Sequence, residues 1–205
     1  GEHILNNLTT YPGPHYAGAH ENLAVEAVLR RIETAVRVLL EGGSTAWPML
    51  KAANPEGGPA LLVPLDTERI RKGFLDPSVN REEDQQDIPC ILVRLTDGND
   101  RTEEDTESGP SYDLKLDIVI AVYMEEAEDY QQATDLVAIL RRSFLQQRFL
   151  DGGHFRIKPP FAWRSSENPA ESWPHYFIAA EITLEAPSIT EEYDEHGQTY
   201  NDNKW

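Results

Sequence analysis

The spacing of apolar residues predicts two amphipathic helices. In residues 21–41, apolar positions recur at steps that place them on one helical face: Leu23, Ala27, Val28, Ile32, Ala35, Val36, Leu39 and Leu40. Gly42-Gly43 follows this stripe and is predicted to end the helix. A second stripe follows Asp129, which we expect to cap that helix together with Gln132 three positions later. Its apolar face consists of Ala133, Leu136, Val137, Leu140 and Phe144.

A different period, alternation at every second residue, predicts strands. Residues 112–124 alternate apolar and polar positions in their first half and become apolar on both faces in their second half, as in a central strand. Residues 88–95 form a β-branched run that we expect to pair with 112–124 as an antiparallel hairpin. Residues 155–163 and 175–185 predict a closing hairpin.

These elements predict an α+β fold, in which an antiparallel sheet of about four strands carries both helices on one face. We expect residues 1–20 to be an N-terminal arm, 21–187 a single domain, and 188–205 an acidic tail. Within the domain, 44–87 reads as a variable insertion. There, Leu61–Leu65 could form a short edge strand and Asp66–Gly73 one or two helical turns.

The net charge of the chain indicates which classes of partner it can bind. The chain has 36 acidic residues against 18 Lys and Arg, which gives a net charge of −18. Such a surface repels phosphate backbones and anionic lipid headgroups, which argues against tight binding to nucleic acid or membranes. It is compatible with nucleic acid sliding past without being held. The absence of an apolar run of membrane-spanning length and of a secretory signal adds to the expectation of a cytoplasmic-type protein.

The acidic residues are densest in residues 97–110, which we interpret as a long, flexible hairpin loop. The candidate subunit-interface or lumen residues are this loop's charged positions and one tryptophan: Asp97, Asp100, Arg101, Glu103, Glu104, Asp105, Glu107 and Trp173. Aromatic residues in loops often anchor subunit contacts, and Trp173 fits that role as well as it fits core packing. For Trp163 the interpretation favours the core.

Enzymatic interpretations are weaker. Cys90 lies in a predicted strand and reads as a buried apolar residue rather than a nucleophile. Asp113 and Asp117, with Lys115 between them, could serve a metal-dependent hydrolase, but a solvated strand face is the favoured interpretation. A metal site from His154 and His175 is a further alternative. No residue is assigned a catalytic, cofactor-binding or metal-binding role, and the expected protein is not an enzyme.

The order of elements resembles a known family. A leading amphipathic helix, the Ile88–Val93 strand, a long loop, an apolar strand running into the helix 129–150, and a closing hairpin are similar to the tail terminator proteins of long-tailed bacteriophages, also called tail completion or neck proteins. The similarity covers residues 21–187.

The resemblance implies a homohexameric ring that caps the tail tube and joins it to the head connector or head-closure protein. It implies location in the virion neck, assembly in the host cytoplasm, and passage of DNA through the lumen, which an acidic wall would favour. It supplies no catalytic residues. Another head–tail joining or tail structural protein is the alternative within the same particle.

Overall fold

The four strands predicted from hydrophobic alternation lie at the centre of a larger sheet. In the computed structural model, the described residues are 20–75, 87–101, 110–165 and 172–187, with the backbone of 192–193 and 199–200. The helices are α1 (His20–Val36) and α2 (Gln131–Gln146). The strands of the main sheet are β5 (Ile70–Lys72), β6 (Cys90–Arg101), β7 (Ser111–Tyr123), β8 (Phe149–Leu150), β9 (Phe155–Ser165) and β10 (His175–Pro187).

Six further short strands form three two-stranded ribbons. They are β1 (Val38–Leu39) with β2 (Thr45–Ala46), β3 (Met49–Ala52) with β4 (Leu61–Pro64), and β11 (Glu192–Tyr193) with β12 (Thr199–Tyr200). The first two ribbons occupy much of the segment predicted as a variable insertion.

The predicted fold class is wrong. The structure is mostly β, with 46% strand and 31% helix, and its large curled sheet has six strands in the order β5-β6-β7-β10-β9-β8. The sheet is mixed because β5 runs parallel to β6, with Ile70 opposite Ile91. Of the segment 66–73, expected to form one or two helical turns, Asp66–Ile70 makes a single turn, in which the amides of Arg69 and Ile70 donate to the Asp66 carbonyl, and Ile70–Lys72 then form β5. A three-residue apolar–polar segment is too short for periodicity to separate helix from strand. The predicted hairpins β6–β7 and β9–β10 are confirmed.

One continuous core joins the helices to a single face of the sheet. Strand β7 contributes every second residue to it, and these side chains are completely buried: Leu114, Leu116, Ile118, Ile120 and Val122. Helix α1 contributes Ile32 and helix α2 contributes Phe144, both with no exposed area. Full burial of one such side chain stabilises the fold by about 1.5–3 kcal/mol.

The predicted end of the first helix is wrong. Helix α1 stops at Val36, and Leu39 is 71% exposed instead of completing the apolar stripe. The chain turns back at Gly42 and Gly43, whose φ angles of 81° and 82° suit residues without a side chain. The amide of Leu40 donates to the carbonyl of Ser44 and closes this turn. Tertiary pairing of β1 with β2 therefore replaces the last helical turn.

The predicted cap of the second helix is displaced toward the N-terminus. Asp129 belongs to a 3-10 turn, and its carboxylate accepts hydrogen bonds from the amides of Glu125 and Glu126, each at 2.9 Å. Lys51 on β3 donates to the same carboxylate at 2.9 Å. These three donors outweigh the effect of burial and lower the pKa of Asp129, although burial alone, the largest single influence, would raise it. The turn thereby joins the β3–β4 ribbon to the start of α2.

The second face of the sheet has a smaller apolar cluster at one end, formed by Ile88, Cys90, Leu92 and Ala121. Cys90 is 1% exposed, which confirms its interpretation as a buried apolar residue. Burial raises the pKa of its thiol to about 11. Within the described residues, neither helix is long and apolar enough to cross a membrane.

Candidate subunit interface

The acidic segment begins as a strand rather than a loop. Asp97, Asp100 and Arg101 lie in β6 and continue its pairing with β7 beyond a bulge at Leu95–Asp97. This extension of the β6–β7 hairpin, residues 97–101 with 111–115, is called the arm here. All of 97–110 was predicted as loop because its acidic and glycine content is typical of loops; backbone pairing overrides that tendency in the arm. Four further candidates lie outside the described residues: Glu103, Glu104, Asp105 and Glu107.

The arm is attached to the start of α1. The hydroxyl of Tyr112 donates a 2.7 Å hydrogen bond to Oε1 of Glu21. This bond raises the pKa of Tyr112 to about 12 and lowers the pKa of Glu21, because it stabilises the phenol and the carboxylate together. Gly98 lies so close that a Cβ there would be 2.9 Å from the Tyr112 hydroxyl oxygen. Glycine at this position lets the tyrosine lie against the arm.

A buried carboxylate links three strands on the second face of the sheet. Oδ2 of Asp113 on β7 lies 2.7 Å from Nε of Arg101 on β6 and 2.9 Å from Nζ of Lys158 on β9. Asp113 is 5% exposed, whereas both cations remain partly in solvent. A cleft of about 270 Å³ opens beside it, lined by Asp97, Asn99, Arg101, Asp113, Lys115, Lys158, Pro159 and Thr183.

This arrangement bears on the hydrolase alternative. The two carboxylates considered for it, Asp113 and Asp117, share a face of β7, but Asp113 is occupied by two cationic side chains. Across the described part of the chain, no group of three or more His, Cys, Asp or Glu residues is placed to hold a metal ion. Asp113 acts here as an electrostatic cross-link between strands.

The histidines considered as metal ligands are far apart. His175 begins β10 opposite Tyr123, whereas His154 precedes β9 at the opposite end of the sheet, where Arg156 pairs with Glu185. The alternative of a metal site formed by His154, His175 and a carboxylate is therefore wrong. His154 instead contacts His20 at the start of α1, with Nε2 of His154 2.9 Å from Nδ1 of His20. Burial, followed by the charge of His154, lowers the pKa of His20.

Both tryptophans beside the segment 166–171 are accessible. Trp163, near the end of β9, is 46% exposed, so its assignment to the core is wrong. It lies opposite Ala180 on the helix-covered face of the sheet, and the core there is filled by Phe161 instead. Trp173 is 51% exposed. Large aromatic side chains left accessible on a scaffold are typical anchors of protein contacts.

Two long strands each keep one edge without a strand partner in the described structure. Strand β5 pairs with β6 only at Ile91–Val93, so the outer edge of β6 is open from Arg94 to Arg101. Strand β8 pairs with β9 only at Phe155 and Arg156, and the Ile157 amide bonds the carbonyl of Arg148. The outer edge of β9 is therefore open from Lys158 to Ser165. Pro159 and Pro160 lie within that open stretch. The chain matches no protein-family model and no curated protein.

Within the described residues, the open stretch Arg94–Arg101 of β6 carries two aspartates and two arginines, whereas Lys158–Ser165 of β9 carries one lysine, one arginine and no acidic residue. In the sequence, residues 96–110 contain six acidic residues and one arginine. Residues 131–165, which comprise α2, β8 and β9, reverse this balance with two aspartates and six basic residues: Arg141, Arg142, Arg148, Arg156, Lys158 and Arg164. This positive surface on a chain of net charge −18 was missed by sequence reasoning, although the local excess of arginine is visible in the sequence.

A separate apolar surface lies on the β1–β2 and β3–β4 ribbons. Leu39, Met49 and Leu62 are 71%, 54% and 64% exposed. In the β3–β4 ribbon, Met49 pairs with Pro64, and their side chains lie on the face opposite buried Leu50. Exposed apolar side chains concentrated in one segment are typical of a protein-contact surface. The sequence did not reveal this surface, because the segment 44–87 has no clear period.

Proposed function

We propose that this chain is a structural ring subunit, a tail terminator that caps the tail tube of a long-tailed phage and joins it to the head connector. The observation that carries the proposal is the pair of open strand edges, Arg94–Arg101 on β6 and Lys158–Ser165 on β9. They lie on opposite halves of one sheet, on either side of the central β7–β10 pair. A subunit with different contact surfaces on its two sides associates head to tail, and such contacts close into a ring when the rotation between copies permits.

Three further features support this role. An open strand edge offers backbone donors and acceptors that a second chain can satisfy. Trp163 places an exposed aromatic side chain next to the β9 edge. The negative net charge favours a channel through which DNA passes without being held. The ribbon surface of Leu39, Met49 and Leu62 offers a further place for contact with a neighbouring component of the tail.

The first test is the assembly state of the purified chain. Size-exclusion chromatography with light scattering, followed over a wide concentration range, is expected to show a hexamer or a monomer that converts to one as concentration rises. Negative-stain electron microscopy is expected to show rings with a central opening. Monomers at every concentration would contradict the proposal, as would retention of duplex DNA at physiological salt.

A matched pair of variants tests the β9 edge. Trp163→Ser should raise the dissociation constant of the ring roughly tenfold or more, since buried aromatic anchors commonly contribute over about 1.4 kcal/mol. Leu62→Ser removes a comparably exposed apolar side chain from the β3–β4 ribbon, away from both open edges, and should leave ring formation unchanged. Immunogold labelling of the tailed particles that carry the protein should place it at the head–tail junction; labelling along the whole tail would favour a tail-tube role instead.

A further inference from the structure

The cleft beside Asp113 brings three cationic side chains together on a chain whose net charge is −18. Arg101 of β6, Lys115 of β7 and Lys158 of β9 all line it. The geometry points to a binding site in this cleft for a small molecule that carries a phosphate group. The site lies within one chain, so it is independent of the proposed ring.

Two register shifts border the cleft. The pairing of β6 with β7 is irregular between Leu95 and Asp97, and the pairing of β10 with β9 is irregular between Glu181 and Thr183. Asp97 and Thr183 both line the cleft. A β-bulge bends its strand and re-aims side chains, and bulges recur beside functional sites. The cleft is therefore a local departure from the regular pleat on both sides of the central β7–β10 pair.

A buried carboxylate fixes two of the three cations. Asp113 is 5% exposed, and its Oδ2 atom lies 2.7 Å from Nε of Arg101 and 2.9 Å from Nζ of Lys158. The side chains of Arg101 and Lys158 remain 43% and 27% exposed. Within the described residues the Nη nitrogens of Arg101 form no hydrogen bond, and such a pair can bond two oxygens of one phosphate group. Asp113 is therefore a positioning residue that holds two cationic groups at the cleft before a ligand arrives.

Further donors come from the neighbouring strands. Lys115 is exposed on β7, and in the described part of the chain its side chain forms no hydrogen bond or salt bridge. Thr183 lies opposite Lys115 on β10 and adds a hydroxyl, while Asn99 of β6 adds an amide. The donors thus come from four strands around one cleft. A carboxylate has only two oxygens to accept from them, so their number favours the larger set of oxygens on a phosphate group.

Two carboxylates limit the affinity of the site and the size of its ligand. Asp113 is already compensated by two cations. Asp97 is exposed, lies opposite Lys115, and accepts a hydrogen bond from the Gly98 amide. Its charge opposes a bound anion, although exposure to solvent weakens that repulsion. The local balance of three cations against two carboxylates still favours a single phosphate group, whereas the net charge of −18 repels a long polyanion such as DNA.

Equilibrium dialysis with radiolabelled inorganic phosphate at fixed ionic strength tests the site in any assembly state. We expect one phosphate to bind per chain, with a dissociation constant of about 1 mM or below. Lys115→Met should raise this constant roughly 10-fold, because a hydrogen bond to a charged group is lost. Arg142→Met removes the same charge from an exposed position on α2, outside the cleft, and should leave the constant unchanged. Circular dichroism of each variant checks that the fold is intact.

Two comparisons test the chemistry of the site. Asp97→Asn should lower the dissociation constant for phosphate roughly 3-fold, because it removes the opposing charge. The amide retains an oxygen that can accept from the Gly98 amide, so the local backbone is preserved. Acetate should displace labelled phosphate at least about 10-fold less effectively than unlabelled phosphate does, because it offers fewer oxygens to the donors.

The outcomes decide between this site and its alternatives. A lack of phosphate binding far above the expected dissociation constant would overturn the inference. Equal weakening in Lys115→Met and Arg142→Met would show that phosphate responds to the overall charge of the chain and not to the cleft. Acetate that competes as well as phosphate would overturn the ligand class. Displacement of phosphate by a short duplex DNA at physiological salt would reassign the cleft to nucleic acid, and it would also contradict the passage of DNA without retention.

Discussion

Lys158 on β9 reaches past β10 to bond Asp113 on β7, with Nζ 2.9 Å from Oδ2. Adjacent strands lie about 4.8 Å apart, so this bond spans two strand intervals. It forms where the pairing of β10 with β9 shifts register between Glu181 and Thr183. The bulge and the curl of the sheet bring the two side chains together over the second face. Asp113 thus joins the arm, through Arg101, to the far half of the sheet.

The first prediction concerns this cross-link. Asp113→Ala should destabilise the fold by about 1–3 kcal/mol, because it leaves two cations without their buried acceptor. Arg101→Met should lower the unfolding free energy by less than Asp113→Ala, since Arg101 is more exposed than Lys158. Its main effect should be increased mobility at the end of the arm. Urea unfolding measures the first effect, and amide hydrogen exchange in residues 97–101 measures the second. An Asp113→Ala protein as stable as the unmodified chain would show that the cross-link contributes nothing.

The second prediction tests the close contact between Gly98 and Tyr112 within the arm. Gly98→Ala should destabilise the protein by about 1 kcal/mol or more, because the new methyl group meets the Tyr112 hydroxyl. The cost should shrink in a Tyr112→Phe background, where that oxygen is absent. A double-mutant cycle on unfolding free energies isolates this coupling. Equal costs in both backgrounds would mean that the hydroxyl is not the obstacle. The remaining contacts, with Leu114 and with the aromatic ring at position 112, would then decide the effect.

The third prediction concerns the turn before α2. Asp129→Ala should destabilise the fold by about 1–2 kcal/mol, since its carboxylate accepts from two backbone amides at a capping turn. Asp129→Asn retains one acceptor oxygen and should cost less. Asp135→Ala, an exposed acidic position on α2, provides a matched control with little expected effect. Thermal unfolding compares the three, and an equal loss in the control would point to helix propensity or charge instead of capping.

The fourth prediction is a loss of stability in mild acid. Burial lowers the pKa of both His20 and His175 below 6.5, so the unfolded chain takes up protons more readily than the folded chain. Their contribution to stability is present above pH 6.5 and declines as the pH falls from there toward the folded-state pKa values. The melting temperature should therefore drop between about pH 7.5 and 5.

Variants at the histidine pair separate the causes. His20→Gln should make the melting temperature less dependent on pH, because it removes the whole contribution of that residue. His154→Gln should have a smaller effect, since burial of His20, the larger cause of its lowered pKa, remains. The residual dependence in His20→Gln is assigned to His175, and that in His154→Gln to His175 together with the buried His20. A steeper dependence in His20→Gln would contradict this account.

Sequence periodicity identified the long elements because each buries one regular face. Strand β7 shows this best, with Leu114 to Val122 alternating into the core as predicted. Periodicity failed where the elements are short. Strand β5 has only three residues, and the ribbons at residues 38–64 bury too little to impose a pattern. Strands β5 and β8 extend the main sheet from four strands to six, and the separate ribbons add further strand content, which changes the fold class.

The candidate interface was likewise predictable from the sequence only in part. Composition located Asp97 and Asp100, but only strand pairing shows that they lie along an open edge. The cross-link from Lys158 to Asp113 depends on sheet order and a register shift, neither of which local sequence encodes. Trp163 was misassigned because an aromatic residue in a strand is buried in most sheets, and the exposed end of this strand depends on where α2 begins.

Pro159 and Pro160 interrupt the open edge of β9 and lack amide hydrogens. A strand approaching from outside finds no N–H donor there and can be held by N–H groups only from Phe161 onward. The prolines therefore disfavour nonspecific pairing of a β-strand along the whole edge. A partner strand of matching length can still pair with the short stretch that follows them. In the proposed ring subunit, whose two edges stay open until assembly, the double proline would limit uncontrolled strand-to-strand stacking.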